Sequence, residues 1–197
     1  EFYSGYQSVE RIHVVDLMGA LHKKAVESNL VSELAEQSAL PLEIGGGIRS
    51  LETLKAYHDM GVEYFILGTR AIIDVPWLKE AADLFPGKIF VGVDAKENDI
   101  YINGWTKNSD VTVDEYLADV EDIDLAGIIY TDIDKDGMGL GPNFENTARI
   151  NKLTRHKVVA SGGIRNKADL DELETLGIEE AIVGKASHTE EFWEGIK

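Results

Sequence analysis

The chain reads as an α/β protein, a (β/α)8 barrel assembled from two half-barrels with its first strand missing from the 197 residues. Three observations carry that reading. Short apolar runs alternate with amphipathic helical patterns from end to end. The runs are continuous rather than alternating in hydrophobicity, as expected of parallel strands buried on both faces. Finally, the pentapeptide GGGIR at Gly45 to Arg49 returns as SGGIR at Ser161 to Arg165, at an offset that other parts of the chain repeat.

The predicted strands are Ile12 to Leu17, Leu42 to Gly45, Tyr64 to Gly68, Lys88 to Asp94, Gly127 to Ile133, Lys157 to Ala160 and Ala181 to Gly184. Between them Ser50 to Gly61, Pro76 to Phe85, Val113 to Val120 and Lys167 to Gly177 have helical spacing. Several open on a serine, aspartate or proline start signal, and two stop at glycine. Seven strands would suit a doubly wound sheet as well as a barrel lacking one strand, so the count does not choose between them.

The repeat chooses. Arg165 minus Arg49, Gly184 minus Gly68, Gly177 minus Gly61 and Asp132 minus Asp16 all equal 116. Chance likeness among glycine turns would not hold one register across several strand ends, so the chain is a duplicated half-barrel. Twice 116 is 232, near the roughly 250 residues typical of an eight-stranded barrel. Residues 1–197 then form one domain, strands two to eight, with the halves meeting near residue 87. Subtracting 116 from Asp94 gives −22, which puts the first strand and its own acid upstream of Glu1. Without them the 197-residue chain is expected to be inactive.

Bulk composition narrows the partners. With 36 acidic and 19 basic side chains the net charge is −17, a field that repels nucleic acid and anionic membrane. No apolar run is long enough to span a bilayer, and the chain has no cysteine, so disulfides and thiolate metal sites are excluded. A monomer in the cytoplasm is the expectation. The five histidines have no paired ligand spacing, so no metal is expected: His13 falls in a strand, His22 in a loop, His58 on a helix, and His156 and His188 in turns.

Functional groups of such a barrel gather at the carboxyl ends of the strands. A Gly-Gly turn feeding a helix brings backbone N–H groups close to a phosphate, and neutral donors suit an acidic protein. GGGIR is followed one strand later by Gly68 and Thr69, and SGGIR by Gly184 and Lys185, so two phosphate cradles are expected, one for each end of a bisphosphorylated small molecule. The alternative is that the glycines only make tight turns. Asp16, Asp94 and Asp132 each close a strand, with Thr131 beside the last, and each could face the ligand or brace a loop. Asp94 is the best acid, because symmetry pairs it with the upstream strand and a flanking pair could act as acid and base. Trp105, on a polar loop, could be a lid that stacks on a flat ring or simply a packed side chain.

Read together, HVVDLMGA, GGGIRS, GTRA, VGVDAK, NGW, YTDIDKDGMGLGPN, ASGGIR and VGKA resemble the phosphoribosylformimino-5-aminoimidazole carboxamide ribotide isomerases of histidine biosynthesis, over essentially the whole chain. That resemblance implies a half-barrel-duplicated TIM barrel and an Amadori rearrangement of an aminoaldose to an aminoketose, without metal or cofactor. By the resemblance Asp94 is the general acid, the base is an aspartate on strand one, Thr131 is a helper and Trp105 the aromatic of the strand-five loop. Gly46, Gly47, Gly68 and Thr69 would hold one phosphate, and Gly162, Gly163, Gly184 and Lys185 the other. The departures are Met18 where the family has aspartate, and Lys135 and Met138 where it has RDGT; they put fine substrate handling in question. The rivals are the related cyclase subunit of imidazole glycerol phosphate synthase, which needs a glutaminase partner, an isomerase that also serves tryptophan synthesis, and a non-catalytic phosphate-binding barrel.

Overall fold

The protein is described from a computed structural model over residues 8–17 and 28–196. Met18 and His22 lie outside these residues. The chain divides into two compact units, Glu1–Val91 and Gly92–Lys197.

In the first unit β1 (Ile12–Val15), α1 (Ser28–Gln37), β2 (Leu42–Gly45), α2 (Leu51–Asp59), β3 (Tyr64–Leu67), α3 (Thr69–Ile73) and α4 (Val75–Leu84) lead into β4 (Ile89–Lys96). Each strand is parallel to the next, with Val14 opposite Ile44, Ile44 opposite Phe65 and Phe65 opposite Ile89. All four residues of β2 are buried, which is why its sequence does not alternate. On helices α2 and α4 Leu54, Tyr57 and Leu78 are fully buried, as are Ile44, Phe65 and Leu67 on the strands. Phe65 and Phe85 meet edge to face at 5.2 Å, with the His58 ring 5.4 Å from Phe85, so His58 is a packing residue. One charge in β2 is buried as well. Glu43 accepts from Arg11 Nε at 2.8 Å and pairs with His13 Nδ1 at 2.8 Å, and Arg11 in turn stacks over Tyr64 and Phe90.

In the second unit the rest of β4 continues into a hairpin of β5 (Asp99–Ile102) and β6 (Lys107–Thr112), then α5 (Val113–Val120), β7 (Gly127–Asp132), α6 (Phe144–Leu153), β8 (Val158–Ser161), α7 (Lys167–Thr175), β9 (Glu180–Ile182), a 3-10 turn (Lys185–His188) and α8 (Glu190–Ile196). β7, β8 and β9 are parallel, with Ile129 opposite Val159 and Ala160 opposite Ala181. The hairpin corrects the sequence reading, which had a polar loop there and ended the preceding strand at Asp94. β4 runs two residues further, because Asp94, Ala95 and Lys96 pair with Tyr101, Ile100 and Asp99. The missed signal is local: Ile100 and Ile102 alternate with polar residues and precede Asn103-Gly104, a strong hairpin pair.

The 116-residue offset holds element by element. Helix α1 at 28–37 maps onto α6 at 144–153, β2 at 42–45 onto β8 at 158–161, and α2 at 51–59 onto α7 at 167–175. Even the caps correspond: Ser50 accepts from Thr53 N at 3.2 Å, and Asn166 accepts from Asp169 N at 3.1 Å. The fold class is α/β with parallel strands and intervening helices, consistent with a TIM barrel, as the sequence predicts.

Candidate active site

Asp94 lies on β4 where the hairpin begins, and its surroundings make it the most distinctive acid of the second unit. Burial first pushes its pKa up, hydrogen bonds donated by the Trp105 indole and the Thr131 hydroxyl pull it down, and the nearby Asp136 carboxylate pushes it up again; the net direction is upward. A carboxyl group biased toward its protonated form, yet hydrogen-bonded and partly accessible, is suited to giving up a proton. The three residues come together for separable reasons. Thr131 is buried on β7, beside β4, and Trp105 stands at the hairpin tip. Trp105 holds φ +68°, with Asn103 at +56° and Gly104 at +64°, so three successive left-handed residues turn the indole back toward Asp94. For a tryptophan that conformation costs about 1 kcal/mol or more, a strain of the kind stored where a side chain must be aimed.

The other strand-end acids are engaged differently. Asp132 accepts from the Asp134 N–H at 2.9 Å and from Asn143 Nδ2 at 2.6 Å, while its carbonyl accepts from Lys135 and Asp136 N–H groups. In the first unit Asp16 is 4 % exposed and accepts from the Tyr57 hydroxyl at 2.6 Å; burial and that carboxylate both push the tyrosine pKa upward. Sequence reasoning missed Tyr57, Asn143 and Asp136, since a tyrosine in an amphipathic helix and an asparagine at a helix start carry no signal beyond packing and capping.

Both glycine turns have the backbone that only glycine supplies without strain. At Gly46, with φ +104°, a Cβ would stand 2.3 Å from the Asp16 carbonyl oxygen; at Gly163, with φ +82°, it would stand 2.5 Å from the Gly141 carbonyl oxygen. Their neighbours in each unit, Gly68 and Gly184, differ. A Cβ there would meet nothing within 4 Å, so both face open space, each directly before a short helical turn. Thr69 starts α3 directly after Gly68, and Lys185 starts the 3-10 turn after Gly184, its Nζ donating to the Gly137 carbonyl at 3.1 Å. Ser161 ends β8 opposite Thr131.

The two arginines that close the pentapeptides occupy unequal settings. Arg165 is locked onto Asp169 by Nε at 3.0 Å, Nη2 at 2.6 Å and its own N–H at 2.9 Å. The residue matching Asp169 in the first unit is the neutral Thr53, so Arg49 lacks that carboxylate. Met138 lies exposed in the segment between β7 and α6. Among the described residues no group of three or more histidines and carboxylates could hold a metal ion, and no helix is long and apolar enough to cross a membrane.

An acid of raised pKa with two side-chain donors, glycine turns repeated at one offset and a βα alternation throughout converge with a family comparison. The family described as histidine biosynthesis protein matches residues 2–193, and the chain belongs to that family of histidine-biosynthesis enzymes.

Proposed function

We propose that the chain is the sugar isomerase of its family, which converts the aminoaldose ProFAR to the aminoketose PRFAR by an Amadori rearrangement. The observation that carries this reading is the environment of Asp94: a carboxyl whose pKa burial and Asp136 push upward, within hydrogen-bonding reach of Trp105 and Thr131. In the reaction Asp94 protonates the furanose ring oxygen, the C1–O bond breaks and the nitrogen lone pair closes a C1=N iminium. A base then removes the C2 proton to give the enolamine. Reprotonation at C1 and loss of the O2 proton leave the C2 ketone, and the proton released restores Asp94. The base is a second carboxylate, the partner in the acid–base pair that the family resemblance implies. Substrate phosphates are held by Gly46, Gly47, Gly68 and Thr69 at one end and by Gly162, Gly163, Gly184 and Lys185 at the other. Backbone N–H donors do this in an acidic protein without adding positive charge.

The test is turnover of ProFAR by the full-length protein without ammonia or a glutaminase, with Asp94→Asn as control. Conversion to PRFAR that disappears in Asp94→Asn is expected. Consumption of PRFAR with ammonia, and none of ProFAR, would assign the cyclase reaction instead.

A further inference from the structure

Asp16 and Asp132 are related by the 116-residue offset, and so are the turns beside them. Asp16 meets the first turn twice: its N–H donates to the Gly45 carbonyl at 2.8 Å, and its own carbonyl oxygen fills the space a Cβ on Gly46 would need. The Asp132 carbonyl oxygen lies 3.4 Å from the Cβ position of Gly162 in the second turn. Each aspartate therefore buttresses a glycine turn through its main chain. An ionised carboxylate aimed at a phosphate would repel it, and more strongly where water is scarce. In both units the carboxylate is instead held by a neutral donor 2.6 Å away, Tyr57 in one and Asn143 in the other.

These donors are not related by the duplication. Tyr57 maps onto Leu173, and it reaches Asp16 from the helix after the turn, whereas Asn143 reaches Asp132 from the cap of the helix before it. One arrangement is thus met twice by unrelated side chains, which points to a requirement rather than an inherited contact.

Resting on the phosphate reading above, we infer that Tyr57 and Asn143 are positioning residues: each ties down the aspartate that sets the shape of one phosphate turn, Tyr57 for Gly46 and Gly47, Asn143 for Gly162 and Gly163. Asp16 and Asp132 then act as buttresses and make no contact with the ligand. Removing a side-chain donor loosens the carboxylate it holds, even where the Asp134 N–H still holds the other oxygen of Asp132 at 2.9 Å, and so weakens the turn that aspartate supports while leaving the other untouched.

The experiment is a titration of the full-length, 15N-labelled protein with inorganic phosphate, read at the amides of Gly46, Gly47, Gly162 and Gly163. Tyr57→Phe keeps the ring, and Asn143→Ser keeps a capping oxygen for α6 while losing the amide donor. Wild type is expected to shift at both turns. Tyr57→Phe weakens the response at Gly46 and Gly47 by about tenfold and spares the other pair, and Asn143→Ser does the reverse. With ProFAR, KM rises in both variants while kcat stays within about twofold, a split that general loss of stability would not produce. Equal weakening at both turns, or no change at either, overturns the inference while the phosphate reading stands. Absence of any wild-type response at either turn overturns both.

Discussion

Asp94 combines two costs that a single substitution separates. Its folded pKa is raised, so the stability tied to its protonated form is fully present below the ordinary value of 3.8 and is lost as the pH rises through the folded value. Asp94→Asn keeps the shape and removes that loss. At pH 7 the variant should melt no lower than wild type while turnover falls by about 10²- to 10⁴-fold, and the difference in melting should shrink in acid. Its neighbours tune the same group in opposite senses. Trp105→Phe deletes a hydrogen bond that lowers the Asp94 pKa, so the alkaline fall of kcat/KM should move to higher pH. Asp136→Asn deletes a charge that raises it, and the same limb should move to lower pH. A pH–rate profile of the two variants beside wild type decides this; shifts in one direction for both would remove Asp94 from the acid role. Asp94 and Thr131 stand out in the sequence because each follows an apolar run, although β4 continues two residues past Asp94. Asp136 and the strained backbone of Trp105 were not, because what defines them is proximity.

Helices following the two glycine turns test the duplication at the level of an element. Ser50 and Asn166 cap α2 and α7 through the same hydrogen bond to the third residue on, and each helix ends just before a glycine with positive φ, Gly61 and Gly177. Ser50→Ala and Asn166→Ala should each lower stability by about 1 kcal/mol, and the double variant should show the sum within about 0.5 kcal/mol, since the sites share no partner. Urea unfolding of the three variants measures it. The second cap has more attached to it. Asp169, which Asn166 caps through its N–H, also holds Arg165, and although burial would raise its pKa, the bonds from Arg165 keep it lowered. Helix boundaries were readable to within a residue or two where capping signals exist, as for Val113 to Val120, whose Thr112–Glu115 capping box is formed on both sides. The β5–β6 hairpin escaped because its short strands are buried only at alternate or partial positions and lack the continuous apolar run that marks their neighbours.

For the molecule as a whole, charge is the dominant long-range quantity. A net charge of −17 makes the folded chain repel itself, and salt screens that repulsion as the Debye length falls from about 30 Å at 0.01 M to about 8 Å at 0.15 M. The thermal midpoint at pH 7 should therefore rise with sodium chloride over this range; a midpoint that is flat or falls would show that local ion pairs outweigh the net field. Acid acts through a different group. Burial alone would raise the Glu43 pKa, but the hydrogen bonds and charges of His13 and Arg11 together hold it below its ordinary 4.5. That stability is present above 4.5 and is lost as the pH falls through the lowered value. Glu43→Gln should be less stable at pH 7, because it weakens a buried ionic cluster, and should lose less on going from pH 5 to pH 3 than wild type does. Chemical denaturation at the three pH values measures both.

By itself the sequence determined the α/β alternation, the duplication and the positions of Asp16, Thr131 and Asp132 at the ends of β1 and β7, because strand burial, glycine turns and helix caps are written in neighbouring residues and one constant offset, whereas Asp94 lies two residues inside β4. Tertiary structure alone decided what those groups touch. Asp94 received an indole, a hydroxyl and a second carboxylate, whereas Asp16 and Asp132 received Tyr57 and Asn143, 41 and 11 residues away. Three aspartates that look alike in the sequence part company because pKa and hydrogen bonding depend on distances in space, which residues far apart along the chain supply.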